Sequence, residues 1–146
     1  MTALYTILLT LHNLNRWLVL ITGVWAIVQN IAPMRGTRPY TPAEARPVTL
    51  FMGTLHLQVV LGLLLFGFLG SMQAPVFAGA KPGFVWQHLV LGVLAAVFAT
   101  LGRRNSRLAS GPQAQARAAL YWCALALVCV LLAIPWYRPL LRLFGL

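Results

Sequence analysis

Long apolar stretches alternate along this chain with short breaks rich in proline, glycine or arginine. Four of the stretches match the roughly 20 helical residues needed to cross a bilayer core about 30 Å thick. We place them near residues 4–31, 48–71, 84–102 and 118–136. The pattern predicts an all-α integral membrane protein, an up-down four-helix bundle that forms a single domain over residues 1–146.

The composition favours the same class of protein. The 146 residues are 60% hydrophobic and 8% charged, and the mean hydropathy is +0.82. A water-soluble domain of this size does not tolerate such a composition. Between the first two spans, Thr41-Pro42-Ala43-Glu44 is typical of a capping box, so the chain's single acidic residue, Glu44, is predicted to be structural.

Basic residues predict the topology. Two of the breaks, those after spans one and three, contain seven arginines: Arg35, Arg38, Arg46, Arg103, Arg104, Arg107 and Arg117. The break between spans two and three contains only Lys81, whereas Arg138 and Arg142 in the tail weigh against the asymmetry. By the positive-inside rule, both arginine-rich loops are cytoplasmic and both termini face the periplasm, across a bacterial inner membrane.

The net charge of +10 therefore does not call for a nucleic-acid partner. Basic residues at a cytoplasmic membrane surface attract anionic lipid headgroups. Membrane lipids are the predicted partners of this charge, and no nucleic acid is expected.

The three histidines, His12, His56 and His88, each fall inside a different apolar span. Ionisable side chains are rare within membrane spans and are usually functional there. A single one is adequately explained by a hydrogen bond to a backbone carbonyl, but three in three spans favour a cofactor or metal held between helices.

Depth estimates separate the histidines. His12 and His88 each precede the midpoint of their span by about five residues, or roughly 8 Å, and spans one and three run in the same direction. We therefore expect these two at one level in the outer half of the membrane, on diagonal helices. His56 is expected roughly 10 Å deeper.

Two neighbouring residues extend the candidate site. Arg16 lies one turn after His12, and a guanidinium in a span needs an anionic partner such as a haem propionate, a quinone oxygen or a lipid phosphate, unless it snorkels to the interface with Asn13 and Asn15. Gly92 begins a stripe of small residues below His88. It leaves room for a flat cofactor or, equally, for close helix packing. The remaining members of the stripe are Ala95, Ala96 and Ala99.

Four motifs resemble those of small four-span bacterial membrane proteins labelled cytochrome b-like. They are His12 with Leu14-Asn15-Arg16-Trp17, His56-Leu57-Gln58 with Leu61-Gly62-Leu63, His88 with Gly102-Arg103, and Ile134-Pro135-Trp136. The resemblance covers nearly the whole chain and implies haem b and electron transfer. This chain departs from the pattern at Gln87, where that family is expected to have an acidic residue.

The leading hypothesis is a b-type cytochrome-like protein with His12 and His88 as axial ligands of one haem and His56 as an alternative ligand. Because no CxxCH motif is present, covalent c-type attachment is excluded. Electrons would pass between a quinol and a redox partner protein, which suits a subunit or module, in a homo-oligomer or a larger membrane complex, better than a stand-alone enzyme.

Two other hypotheses stay open. The three histidines would converge on copper or zinc in one, although the depth of His56 makes bonds near 2 Å difficult. In the other, the chain is a cofactor-free scaffold subunit that binds lipid through its arginines. Transport is least favoured, because no carboxylate is predicted inside a span.

Overall fold

The computed structural model describes residues 2–71 and 83–136, and within them the chain forms four α-helices and no strands. Helix α1 is Thr2–Met34, α2 is Pro42–Ser71, α3 is Phe84–Leu108 and α4 is Pro112–Ala133. All four are long and apolar enough to cross a membrane. The predicted all-α, multi-pass membrane fold is confirmed.

The helices are longer than the predicted spans at the arginine-rich end. Helix α2 begins six residues before residue 48, α3 ends six residues after residue 102, and α4 begins six residues before residue 118. Hydropathy marks only the segment that crosses hydrocarbon, whereas backbone hydrogen bonding continues through the interface. Arginines that were predicted to lie in loops consequently lie on helices, among them Arg46, Arg103, Arg104 and Arg107.

Local chemistry fixes the connection between α1 and α2. Gly36 adopts a φ of 76°, and the N–H groups of Gly36 and Thr37 donate to the carbonyls of Pro33 and Ala32 at 3.0 and 3.2 Å. These are the two bonds of a Schellman motif, which ends α1. The Thr41 N–H then donates to Glu44 Oε2 at 2.9 Å, and the Thr41 hydroxyl accepts from the Ala43 N–H at 3.2 Å. The capping box is confirmed, and it starts α2 directly.

Helix α1 packs against α2 and α4, while α3 packs against α4 and α2, so α1 and α3 are diagonal. Small side chains fill much of the centre and let the helices approach closely. The most buried members of this core are Val19, Ala26, Val48, Phe51, Leu55, Ala95, Ala99, Ala119, Cys123 and Ala126. The two cysteines are free and buried, which is the packing role that small apolar residues have.

Large apolar side chains cover the outside of the bundle. Ile21, Val28, Val90 and Leu132 are each more than half exposed. Such an apolar exterior is unstable in water and matches lipid chains, so the helices contact membrane lipid. The periplasmic placement of both termini stays a prediction. Lys81, Arg138 and Arg142, and nearly all of the loop predicted over 70–83, lie outside the described residues.

Candidate functional site

The rings of His12 and His88 face each other across the bundle. Their centroids are 6.1 Å apart and their planes are inclined by 55°. The two residues come from the diagonal helices α1 and α3, as the depth estimate predicted. Two imidazoles that ligate one metal from opposite sides have centroids roughly 6 Å apart, because each metal–nitrogen bond is about 2 Å long and each ring centre lies roughly 1 Å beyond its nitrogen.

His88 is held in one orientation by the end of α4. Its Nδ1 lies 2.8 Å from the backbone carbonyl oxygen of Ala133, the last residue of that helix. Because a carbonyl only accepts, Nδ1 must donate and therefore carries the proton. The neutral ring then has an unprotonated Nε2, which is the form that binds a metal. The Phe84 ring, one turn earlier on α3, lies 5.5 Å from the His88 ring and limits its movement.

His12 has bonding capacity that the described residues do not use. Its Nδ1 is buried and has no hydrogen-bond partner among them. Leaving a buried polar group unsatisfied costs about 1–3 kcal/mol, so such an atom calls for an explanation. Gly62 of α2 makes room for the ring, because a Cβ at that position would lie 3.3 Å from His12 Cε1.

A polar network between α1 and α2 fixes the backbone that carries His12. Gln58 Nε2 donates to the His12 carbonyl at 3.0 Å. Asn15 Nδ2 donates to Gln58 Oε1 at 2.7 Å and to the Thr54 carbonyl at 2.9 Å. The network sets the register of the two helices, and with it the height of His12.

The snorkelling alternative does not apply to Asn15, because this side chain is buried and faces α2. Its position in the sequence did not reveal this role. A signal for this interface existed in α2, where Thr54, Gln58 and Gly62 recur every four residues and therefore share one face.

His56 lies apart from the other two histidines. Its side chain is exposed, its Nδ1 lies 2.8 Å from the Met52 carbonyl oxygen, and its Nε2 lies 3.3 Å from Thr100 Oγ1 on α3. Across residues 2–71 and 83–136, no three His, Cys, Asp or Glu side chains gather in a group that could hold a metal ion. A copper or zinc site built from all three histidines finds no support in this geometry.

Arg16 and Gly92 flank the pair, each one turn along its helix. Arg16 is half-buried, and its guanidinium carbon lies 5.7 Å from the centroid of the Trp17 ring. Gly92 borders open space, because a Cβ there would meet no atom within 4 Å. The alanines of the same stripe differ from it. Ala95, Ala96 and Ala99 are buried in the core, so helix packing accounts for them.

Comparison of the chain with protein-family models, with curated proteins and with solved structures gave no match. The fold itself defines the class, a multi-pass four-helix membrane protein. The histidine pair is its candidate functional site.

Proposed function

We propose that the chain is a b-type cytochrome-like electron-transfer protein of the bacterial inner membrane, in which His12 and His88 ligate one haem. The observation that carries the proposal is the approach of their two rings to 6.1 Å between diagonal helices. Two histidine ligands leave no open coordination position for oxygen, which suits electron transfer better than oxygen chemistry.

The donor set fits a haem iron. His88 donates its Nδ1 proton to the Ala133 carbonyl, which leaves Nε2 as the nitrogen that would bind iron. His12 has a buried nitrogen without a partner. Gly92 borders open space one turn from His88, which would give a flat macrocycle clearance. A bound haem would supply a one-electron Fe(III)/Fe(II) couple.

The protein's own residues would orient the ligands and set their surroundings. The Gln58–Asn15 network holds the α1 backbone at His12, and the α4 end holds the His88 ring. Arg16 would lie near the anionic edge of the macrocycle and favour the reduced iron, since a positive charge stabilises the state with one electron more. His56 makes its hydrogen bonds to Met52 and Thr100, apart from this pair, and stays only the alternative ligand.

The chain would act as a subunit or module that exchanges electrons between a quinol and a redox partner protein. Its polar groups are few, and the described connections between α1 and α2 and between α3 and α4 are short, so substrate chemistry of its own has little support. The arginine-rich loops would face the cytoplasm, and a homo-oligomer or a larger membrane complex would provide the electron path.

The test is a reduced-minus-oxidised visible spectrum of the detergent-purified full chain, expressed with sufficient haem, with iron, copper and zinc quantified in the same sample. We expect the sharp bands of a six-coordinate b haem at about one haem per chain. Colourless protein with copper or zinc would move the assignment to a histidine metal site. Colourless protein without metal would favour the hypothesis of a cofactor-free scaffold subunit.

A further inference from the structure

The opposite end of the bundle has an excess of positive charge that the chain cannot neutralise. Seven of the eleven Lys and Arg residues of the sequence lie at this end, and Glu44 is the single acidic residue. The structure commits this carboxylate to Arg38 at 3.1 Å, to the Thr41 N–H and to Gln29 Nε2 at 3.3 Å. The other six arginines at this end therefore have no acidic side chain of this chain to pair with.

Two of these arginines share one cleft. Arg46, in the second turn of α2, and Arg103, near the end of α3, both line an open cleft of about 650 Å³. The Tyr40 hydroxyl lies 2.7 Å from Ser106 Oγ and ties the connection between α1 and α2 to α3, which fixes the position of the cleft. We call it the Arg46–Arg103 cleft.

The cleft continues onto the apolar exterior. Trp25 and Leu50 line it and are 45% and 48% exposed, as lipid-facing side chains of this bundle are. Its two ends therefore have different chemistry. One offers guanidinium groups, which bind phosphate oxygens in a planar, two-point geometry, and the other offers a surface for hydrocarbon.

We propose that the Arg46–Arg103 cleft is a binding site for an anionic phospholipid. The phosphate lies between the two guanidinium groups, and the acyl chains run along Trp25 and Leu50. A zwitterionic lipid carries the same phosphate but also a cation that opposes the arginines, so a net negative headgroup is selected. The proposal is independent of haem binding, because none of these residues contacts the histidine pair.

Quenching of Trp25 fluorescence by brominated lipids tests the site. The full chain in non-ionic detergent is titrated with brominated phosphatidylglycerol and brominated phosphatidylcholine, and Trp25→Phe identifies the contribution of this tryptophan. We expect saturable quenching by phosphatidylglycerol at a concentration at least roughly fivefold lower than by phosphatidylcholine. Arg46→Gln and Arg103→Gln should each weaken phosphatidylglycerol binding roughly fivefold, a factor corresponding to about 1 kcal/mol per arginine.

Arg107→Gln is the matched control, because it removes one positive charge from an exposed residue of α3 that does not line the cleft. Equal quenching by the two lipids, or an equal loss in Arg107→Gln, would overturn the proposal. Inorganic phosphate at the lipid's concentration should not displace the lipid, and complete displacement would contradict a lipid as the ligand. If a glutamine variant does not fold, Arg46→Lys and Arg103→Lys are measured instead. They keep the charge but lose the planar two-point geometry, so phosphatidylglycerol binding should still weaken, and unchanged binding would overturn the proposal.

Discussion

The two ends of the bundle use their polar groups in opposite ways. At the basic end, formed around Arg38, Glu44, Arg46 and Arg103, the carboxylate is fully engaged by neighbours from α1 and from its own capping box. At the histidine end, formed around His12, Gly62, His88 and Ala133, a buried imidazole nitrogen has no partner among the described residues. One end retains positive charge, and the other retains coordination capacity.

The two ends differ in what their polar groups leave unpaired. The buried His12 Nδ1 is costly unless something satisfies it, whereas the Arg46 side chain is exposed. The surplus at the basic end has the chemistry of an anion site. Under the proposed function, the histidine end would hold a metal, since an unprotonated imidazole nitrogen offers a lone pair.

The largest expected effect separates the histidine pair from His56. We expect His12→Ala and His88→Ala each to abolish haem binding, because a single axial histidine would remain. His56→Ala is the control and should keep most of the haem, since His56 bonds to Met52 and Thr100 on another face. Haem per chain, from the visible spectrum and protein concentration, decides this. Equal loss in all three variants would contradict the pairing.

A smaller effect should follow from crowding the His12 ring. Gly62→Val places a side chain where even a Cβ would lie 3.3 Å from His12 Cε1. Overpacking costs about 1–3 kcal/mol, so haem affinity should fall roughly five- to hundredfold. Haem titration of the apoprotein measures the change.

Gly53→Val is the matched control for this substitution. It carries the same change in helix propensity on the same helix, at a position where a Cβ meets no atom within 4 Å. Equal affinities of the two variants would show that Gly62 does not make room for the ligand.

At the basic end, Glu44→Gln should lower stability without changing the haem spectrum. The substitution removes the charge from a carboxylate that accepts hydrogen bonds from three residues, and hydrogen bonds to charged groups are worth about 1.5–3 kcal/mol. We expect a loss of about 1–3 kcal/mol in the free energy of unfolding in detergent. Arg38→Gln should cost less than about 1 kcal/mol, because the Arg38 side chain is 46% exposed. A spectral change in Glu44→Gln would mean that the two ends are coupled.

The smallest effect is expected at Arg16. Arg16→Gln should retain haem and lower its midpoint potential by roughly 30–60 mV, up to about a tenfold change in a one-electron equilibrium. The sign follows from removing a positive charge that favours the reduced iron. Potentiometric titration measures the shift, and an unchanged potential would indicate that Arg16 reaches the interface instead.

The sequence was sufficient for the number of helices and for the approach of His12 to His88. Both follow from rules that act along the chain, namely the length of apolar runs and the direction of alternating spans. The end of α4 at Ala133 also follows from the sequence, because Pro135 cannot continue the helix. These features depend on local chemistry and on simple geometry.

The faces of the helices were harder to predict. In a soluble bundle, polar residues mark the outside, but in a membrane both the lipid face and the core face are apolar. The polarity of Asn15 was therefore compatible both with a position at the membrane interface and with a hydrogen bond to another helix. Its bond to Gln58 joins residues 43 positions apart, and no local periodicity encodes that pairing. The depth of His56 predicted that it lies apart from the pair, but its exposure and its contact with Thr100 depend on the same helix rotations.

The bond between His88 and the Ala133 carbonyl gives the bundle an order of assembly. The residue that accepts this bond belongs to the last of the four helices to leave the ribosome, whereas both histidines of the pair are synthesised much earlier. His88 is therefore not aligned until α4 has docked. Under the proposed function, haem capture would report that insertion is complete, and a chain arrested before its fourth span would stay colourless.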